Sequence, residues 1–296
     1  MRSCLTTRLD RPGRGSLSVN AARWALLAAG YPESVPGVTV DRQCGSSQQA
    51  LHFAAQGVIA GAYDVAVASG VESMSRIPIG SQFAGKNFAG PAVTERYAPG
   101  LIPQGISAEL IAAKWGFSRA QLDDYASISH QRSAEAWKDG LFEGETVAVN
   151  ELSIDETIRP DTTNESLAGL RLAFQDEAWE QRFPQIDWKV TAGNSSPVND
   201  GAAALLVTSR EAAERYGLRP RARVHSFAVA GDDPIMMLTG IIPATRKVLA
   251  RAGLSIDDID AFEVNEAFAS VVLAWQAETG APLEKVNING GGAVVG

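Results

Sequence analysis

Hydrophobic and polar positions change period several times along the chain, and the changes outline alternating strands and helices. Residues 37–41 form a short β-branched run, 46–61 a small and apolar stretch of helical length, and 64–68 a second apolar run; together they predict a βαβ unit. Between 75 and 188 the regularity gives way to Gly, Pro and charged residues around a few amphipathic helices, the clearest over 107–115 and 119–137, so this stretch reads as an insertion. The strand-and-helix texture returns with 190–193, a small-residue segment over 200–207 and a helix over 209–216. A helix over 243–252, a strand over 261–264 and a helix over 266–278 follow. Such alternation predicts an α/β fold with covered sheets.

Composition narrows the function classes. The 296 residues carry 34 acidic and 26 basic side chains, a net charge of −8, which argues against a nucleic-acid partner that clustered Lys and Arg would bind. With 45% hydrophobic and 20% charged residues the chain can bury a large core, as two domains or one composite domain. The best apolar stretch is interrupted by Asp64, short of the roughly 18 residues a membrane span needs, so no membrane partner is expected. Cys4 and Cys44 give no disulfide framework, and His52, His130 and His225 are scattered, with neither a CxxC nor an HExxH metal site, so no metal is expected. These features fit a reducing cytoplasm. Arg2, Arg8, Arg11 and Arg14 precede no hydrophobic run, which excludes a secretory signal and leaves a short organelle-targeting stretch open. Neither GxGxxG nor GxxxxGK[ST] is present.

Candidate chemistry concentrates in three places. Around Cys44 a strand ends near Asp41 and a helix begins just after the cysteine, with Gly45, Ser46 and Ser47 small enough for close approach. A helix N-terminus favours a thiolate, so Cys44 is a candidate nucleophile able to carry an acyl group as a thioester; the alternative is a small buried hydrophobe. Asn265 and Glu266 form a polar pair at a strand end leading into a helix, where they can hold a water or substrate oxygen, with Ala267 and Phe268 along an apolar channel. A helix cap with an acidic first turn is the simpler reading of that pair. The polar loop 191–196, followed by Asn199-Asp200-Gly201, is a ligand loop or a turn.

These clusters together resemble the thiolase family, enzymes that cleave 3-ketoacyl-CoA with coenzyme A or run the reverse Claisen condensation. The matching motifs are Asp41-Arg42-Gln43-Cys44-Gly45-Ser46-Ser47, Gly70-Val71-Glu72-Ser73-Met74-Ser75, Thr191-Ala192-Gly193-Asn194-Ser195-Ser196, and Asn265-Glu266-Ala267-Phe268-Ala269, in family order. The resemblance implies that Cys44 attacks the thioester carbonyl, and that CoA sulfur or the α-carbon of acetyl-CoA then attacks the acyl enzyme. It also implies that Asn265, with Glu266 beside it, holds a water in an oxyanion hole for the second substrate. Ala267, Phe268, Ser196 and the backbone at Ala192 and Gly193 would contact pantetheine, with Arg159 and Ser166 near the CoA nucleotide. No cofactor is implied beyond CoA as a substrate, and the assembly would be a homodimer or homotetramer.

The implied fold is α/β, two similar halves in an αβαβα layered core, both incomplete, with an inserted loop domain. Its parts would be 1–75 with 189–212, the loop domain 76–188, and 213–296. Residues 1–15 match nothing clearly. Asn265-Glu266-Ala267-Phe268 argues against the sterol-carrier type, which has His-Asp-Cys-Phe there, and Pro103-Gln104 stands where some short-chain members have His-Met. The family's Gly-His-Pro histidine and second cysteine do not appear before Gly296. From that the 296-residue chain is expected to be nearly inactive and poorly soluble alone. The alternative to an enzyme is a catalytically silent CoA-binding relative. A carrier-protein ketoacyl synthase is disfavoured by the absence of its histidine pair.

Overall fold

Three strands from residues 2–73 and a fourth from residues 200–208, rich in Val, Ala and Thr, pair into a four-stranded sheet. The computed structural model describes residues 2–7 along the backbone, and 20–79 and 89–291 in full; Arg8, Arg11 and Arg14 lie outside the described residues. In chain order the elements are β1 (Arg2–Thr7), α1 (Ala21–Ala28), β2 (Gly37–Val40), α2 (Ser46–Ile59), β3 (Val65–Ser73), α3 (Gly90–Arg96), α4 (Gln104–Trp115), α5 (Arg119–Lys138), α6 (Asn164–Ala168), α7 (Glu177–Arg182), β4 (Asp200–Thr208), α8 (Arg210–Arg215), α9 (Ile241–Ala252) and α10 (Ala269–Thr279). They form two compact units: Met1–Gly90 with Val198–Phe227, and Pro91–Pro197 with Ala228–Gly296.

In the first unit the strand order is β2-β1-β3-β4, with β1 parallel to β2 and β3, and β4 antiparallel to β3. β1 is central although residues 1–15 offered no sequence match, because its backbone pairs on both sides, Cys4 with Gly37 and with Val67. β3 runs past the predicted end at 68, since β4 pairs along it from Val65↔Thr208 to Ser73↔Asp200. On α2, Ala50 and Ala54 are buried against Ala66 and Ala68, and these small side chains let the helix lie close to the sheet. α1 is capped by the Asn20 side chain, which accepts from Arg23 N at 3.1 Å, and it buries Ala22 and Leu26 against Val35. β2, paired with β1, and α2, packed on the sheet, hold the turn between them at both ends.

The second unit is helical. α10 buries Val271, Val272, Ala274 and Trp275, so it is apolar on nearly all faces and packs as a core helix beside α4 and α5. Val272 and Trp275 join Leu122, Tyr125 and Ile242 in one cluster, while Val271 and Phe268 join Ile111 and Val190 in another. Each fully buried large apolar side chain contributes about 1.5–3 kcal/mol.

Three expectations are corrected here. The helix placed over 266–278 starts at Ala269 with Phe268 as its cap residue, so Glu266 precedes the helix and is not a first-turn acid. The strand over 261–264 reduces to one parallel bridge, Phe262↔Val286. Its next ladder position is taken by a side chain: Asn287 Oδ1 accepts from Val264 N at 2.7 Å and Asn287 Nδ2 donates to Val264 O at 2.8 Å. Residues 190–193 lead into a short 3-10 turn, Ala192–Asn194, with a single bridge from Leu172 to Thr191. Among the described residues no helix is long and apolar enough to cross a membrane.

Candidate functional site

Cys44 sits in the turn after β2, beyond the carboxyl end of the parallel strands, where open α/β sheets bind ligands. The turn is tied by its own groups. Ser46 Oγ accepts from Arg42 N at 2.6 Å and donates to Gln43 O at 2.5 Å, and the Arg42 guanidinium donates to Gly45 O at 2.9 Å. Gln43 is held at φ 48°, a left-handed conformation costly for a side chain of that size and typical of turns that fix a functional neighbour. No local pattern in the sequence marks that strain. Cys44 follows it, exposed, directly before the Gly45 cap position of α2.

The thiol does not have the lowered pKa expected of a helix N-terminus. Although Cys44 is exposed, the protein packed around it desolvates the sulfur and raises the pKa above its usual 9.0; a hydrogen bond to its own backbone amide offsets part of the rise, and the Glu72 carboxylate adds to it. Desolvation outweighs the amide contribution, so the resting group is a thiol. In the same unit the His52 ring lies 5.3 Å from that of Phe227, and burial, then Arg42, lowers its pKa.

The second unit holds the remaining candidates. Asn265 is exposed, while neighbouring Glu266 is buried. Glu266 Oε1 accepts from Tyr125 Oη at 2.6 Å and Asn287 Nδ2 at 2.7 Å, and Oε2 accepts from Ser129 Oγ at 2.7 Å. A buried carboxylate without such donors would cost several kcal/mol, and three donors here meet its oxygens. Burial raises the Tyr125 pKa well above its usual 10.0, and the Glu266 carboxylate raises it further, so the phenol stays protonated and donates. Tyr125, Ser129 and Asn287 were not singled out in the sequence, and no local spacing could find a contact spanning 141 residues between Tyr125 and Glu266.

Ala267 and Ser196 are partly buried and are joined by Ser196 N donating to Ala267 O at 3.1 Å, next to the bridge between Ser195 and Phe268. Phe268 faces the core, 6.0 Å from Phe174 in an edge-on contact. Ala192 is exposed and Gly193 partly so. A Cβ at Gly193 would come within 2.5 Å of Leu170 and 2.6 Å of Leu167, so this loop lies against the end of α6. Ser166 is on that helix, exposed, with its Oγ donating to Thr163 O at 2.8 Å and accepting from Thr163 N at 3.1 Å. Arg119 fastens both, pairing with buried Asp123 at 2.6 Å and donating to Leu167 O at 2.5 Å, while Asp123 accepts from Asn194 Nδ2 at 2.8 Å. Buried Glu109 accepts from Val190 N at 2.8 Å just ahead of the loop, and burial raises its pKa. Arg159 is exposed with its N–H donating to His130 Nδ1 at 3.3 Å. Thus Ser196 meets Ala267, beside the Ser195–Phe268 bridge, Gly193 meets the helix of Ser166, and Arg159 stands on a separate loop. Among the described residues no cluster of His, Cys, Asp and Glu could hold a metal ion.

Comparisons with known proteins match this arrangement to one family. Residues 13–211 match the thiolase N-terminal domain and 218–296 the thiolase C-terminal domain. Steroid 3-ketoacyl-CoA thiolase FadA6 of Mycobacterium tuberculosis is 45% identical over 295 residues, covering 95% of this chain and 69% of the relative. The 3-oxoadipyl-CoA/3-oxo-5,6-dehydrosuberyl-CoA thiolase of Escherichia coli is 41% identical over 303 residues, covering 94% and 73%. Human mitochondrial 3-ketoacyl-CoA thiolase, in a crystal structure with CoA, superposes with a TM-score of 0.84 at 32% identity, covering 100% of this chain and 75% of that one. Bacillus anthracis acetyl-CoA acetyltransferase gives a TM-score of 0.81 at 35% identity, with the same coverage.

Proposed function

The chain belongs to the thiolase family, with its α/β fold and acyltransferase chemistry, and we propose that it moves an acyl group between 3-ketoacyl-CoA and coenzyme A through an acyl-Cys44 thioester. In thiolysis the Cys44 sulfur attacks the 3-oxo carbon. The C2–C3 bond breaks, its electrons pass to the thioester enolate of acetyl-CoA, and protonation of that carbon releases acetyl-CoA. CoA sulfur then attacks the acyl enzyme, and Cys44 leaves as the restored nucleophile. Condensation runs these steps backwards, from acetyl-CoA and an acyl enzyme.

The observation that carries this reading is the setting of Cys44: an exposed thiol on a side-chain-tied turn with Gln43 at positive φ, at the carboxyl end of parallel strands. Its raised pKa means that a base must take the proton during attack, a step worth about 10²–10⁴-fold in rate. Negative charge develops on the acetyl-CoA thioester oxygen, and the exposed Asn265 amide, through a water, is the donor assigned to it. Glu266 stands beside it. Ser196, Ala192, Gly193, Ala267 and Phe268 are assigned to pantetheine, and Arg159 and Ser166 to the nucleotide end, within the covering segment 76–188. In the same reading the enzyme works in the cytoplasm as a homodimer or homotetramer, with acyl-CoA and CoA as its small-molecule partners.

A silent CoA-binding relative makes a different prediction. Slow consumption of a 3-ketoacyl-CoA on addition of CoA, with acetyl-CoA as product, is expected of the wild type and is expected to vanish in Cys44→Ala. CoA binding without thioester consumption would favour the silent binder.

A further inference from the structure

Glu266 neighbours the exposed Asn265, but its own oxygens are taken up inside the protein. Two of its partners, Tyr125 and Ser129, stand on α5 one turn apart, and the third, Asn287, also clamps the Val264 backbone through both ends of its amide. Gly290 and Gly291, after Asn289, close on the same cluster. Gly291 N donates to Ser129 Oγ at 3.3 Å, and a Cβ at Gly291 would come within 2.4 Å of Glu266. A Cβ at Gly290, where φ is 77°, would fall 1.8 Å from Ser133 Oγ and 2.7 Å from Ser129 O. Arg132, on the same helix, donates to Val286 O at 2.6 Å. α5 thus holds 264–266 and 286–291 through one buried polar cluster, and Asn265 is the residue of that segment left facing out.

We propose that Glu266, Tyr125 and Asn287 are positioning residues for the oxyanion donor Asn265, fixing its backbone by a buried carboxylate anchored on α5 rather than touching substrate. This rests on the reading of Asn265 given above. The role separates two reactions of Cys44. Acetyl transfer from acetyl-CoA to the cysteine forms no acetyl-CoA enolate and does not need Asn265, whereas cleavage of 3-ketoacyl-CoA does. Misplacing a donor by about 1 Å costs on the order of 100-fold.

The test compares wild type, Tyr125→Phe, which removes one donor at nearly constant volume, and Glu266→Gln. Three quantities are read: acetylation of Cys44 by acetyl-CoA, kcat and KM for thiolysis of 3-ketoacyl-CoA, and amide hydrogen exchange. In both variants thiolysis kcat is expected to fall about 10- to 100-fold with KM within about threefold, while Cys44 acetylation stays within about threefold of wild type. Exchange is expected to rise about tenfold or more over 262–268 and stay unchanged over 46–59. Wild-type thiolysis and wild-type exchange over 262–268 in both variants would overturn the proposal, as would an equal loss of acetylation and thiolysis. A wild type that neither acetylates nor turns over would instead overturn the thiolase reading, and the exchange pattern would still decide whether the cluster anchors Asn265.

Discussion

Two effects compete at the Cys44 sulfur: the hydrogen bond from its own backbone amide that favours a thiolate, and desolvation that opposes it. Desolvation wins, and Glu72 reinforces it, so the folded-state pKa lies above 9.0. A raised pKa means less thiolate at every pH below it. Alkylation by iodoacetamide is therefore expected to be slower near neutral pH than for cysteine in an unstructured peptide, and to rise with a midpoint above 9.0. A midpoint below 9.0, measured as rate against pH, would show that the amide hydrogen bond dominates. Cys44, Asn265 and the 191–196 loop stand out as candidates from short motifs, because a strand-turn-helix junction with small residues leaves its mark within a few positions. The buried partners of Glu266 were not, since a carboxylate reveals its donors only when the chain brings distant residues together. The sequence also could not separate exposed Asn265 from buried Glu266, one residue apart.

Elements with strong periodicity or a local cap were readable to within a few residues. α5 was expected over 119–137 and spans Arg119–Lys138, fixed at its start by a reciprocal Ser118–Gln121 capping box. Strands fared worse, because their existence depends on neighbours. β1 is a strand only through β2 and β3, and residues 261–264 are not one because the Asn287 side chain occupies the ladder position. The segment 286–291 also shows why Gly290 and Gly291 follow Asn289. Gly290→Ala would force a side chain into a left-handed conformation and against the Ser129 carbonyl, at a combined cost of about 2–4 kcal/mol. A clear fall in the thermal unfolding midpoint is expected. An unchanged midpoint would mean that this segment does not dock on α5 as described.

At the scale of the whole molecule, family membership and the two units with their separate cores rest on different observations. Thiolase domain matches span 13–211 and 218–296, and the relatives share 41–45% of their residues over about 70% of their own length. The α/β class was legible from alternation and the family from its motifs, whereas the grouping of 91–197 with 228–296 was not, because compactness depends on contacts far apart in sequence. The central claim is that this thiol carries the acyl group, and a thioester on Cys44 is its most direct expression. Incubation with isotope-labelled acetyl-CoA followed by peptide mass spectrometry is expected to place the label on the peptide containing Cys44 in the wild type and to find none in Cys44→Ala; an unlabelled wild type, or label that persists in Cys44→Ala, would contradict it.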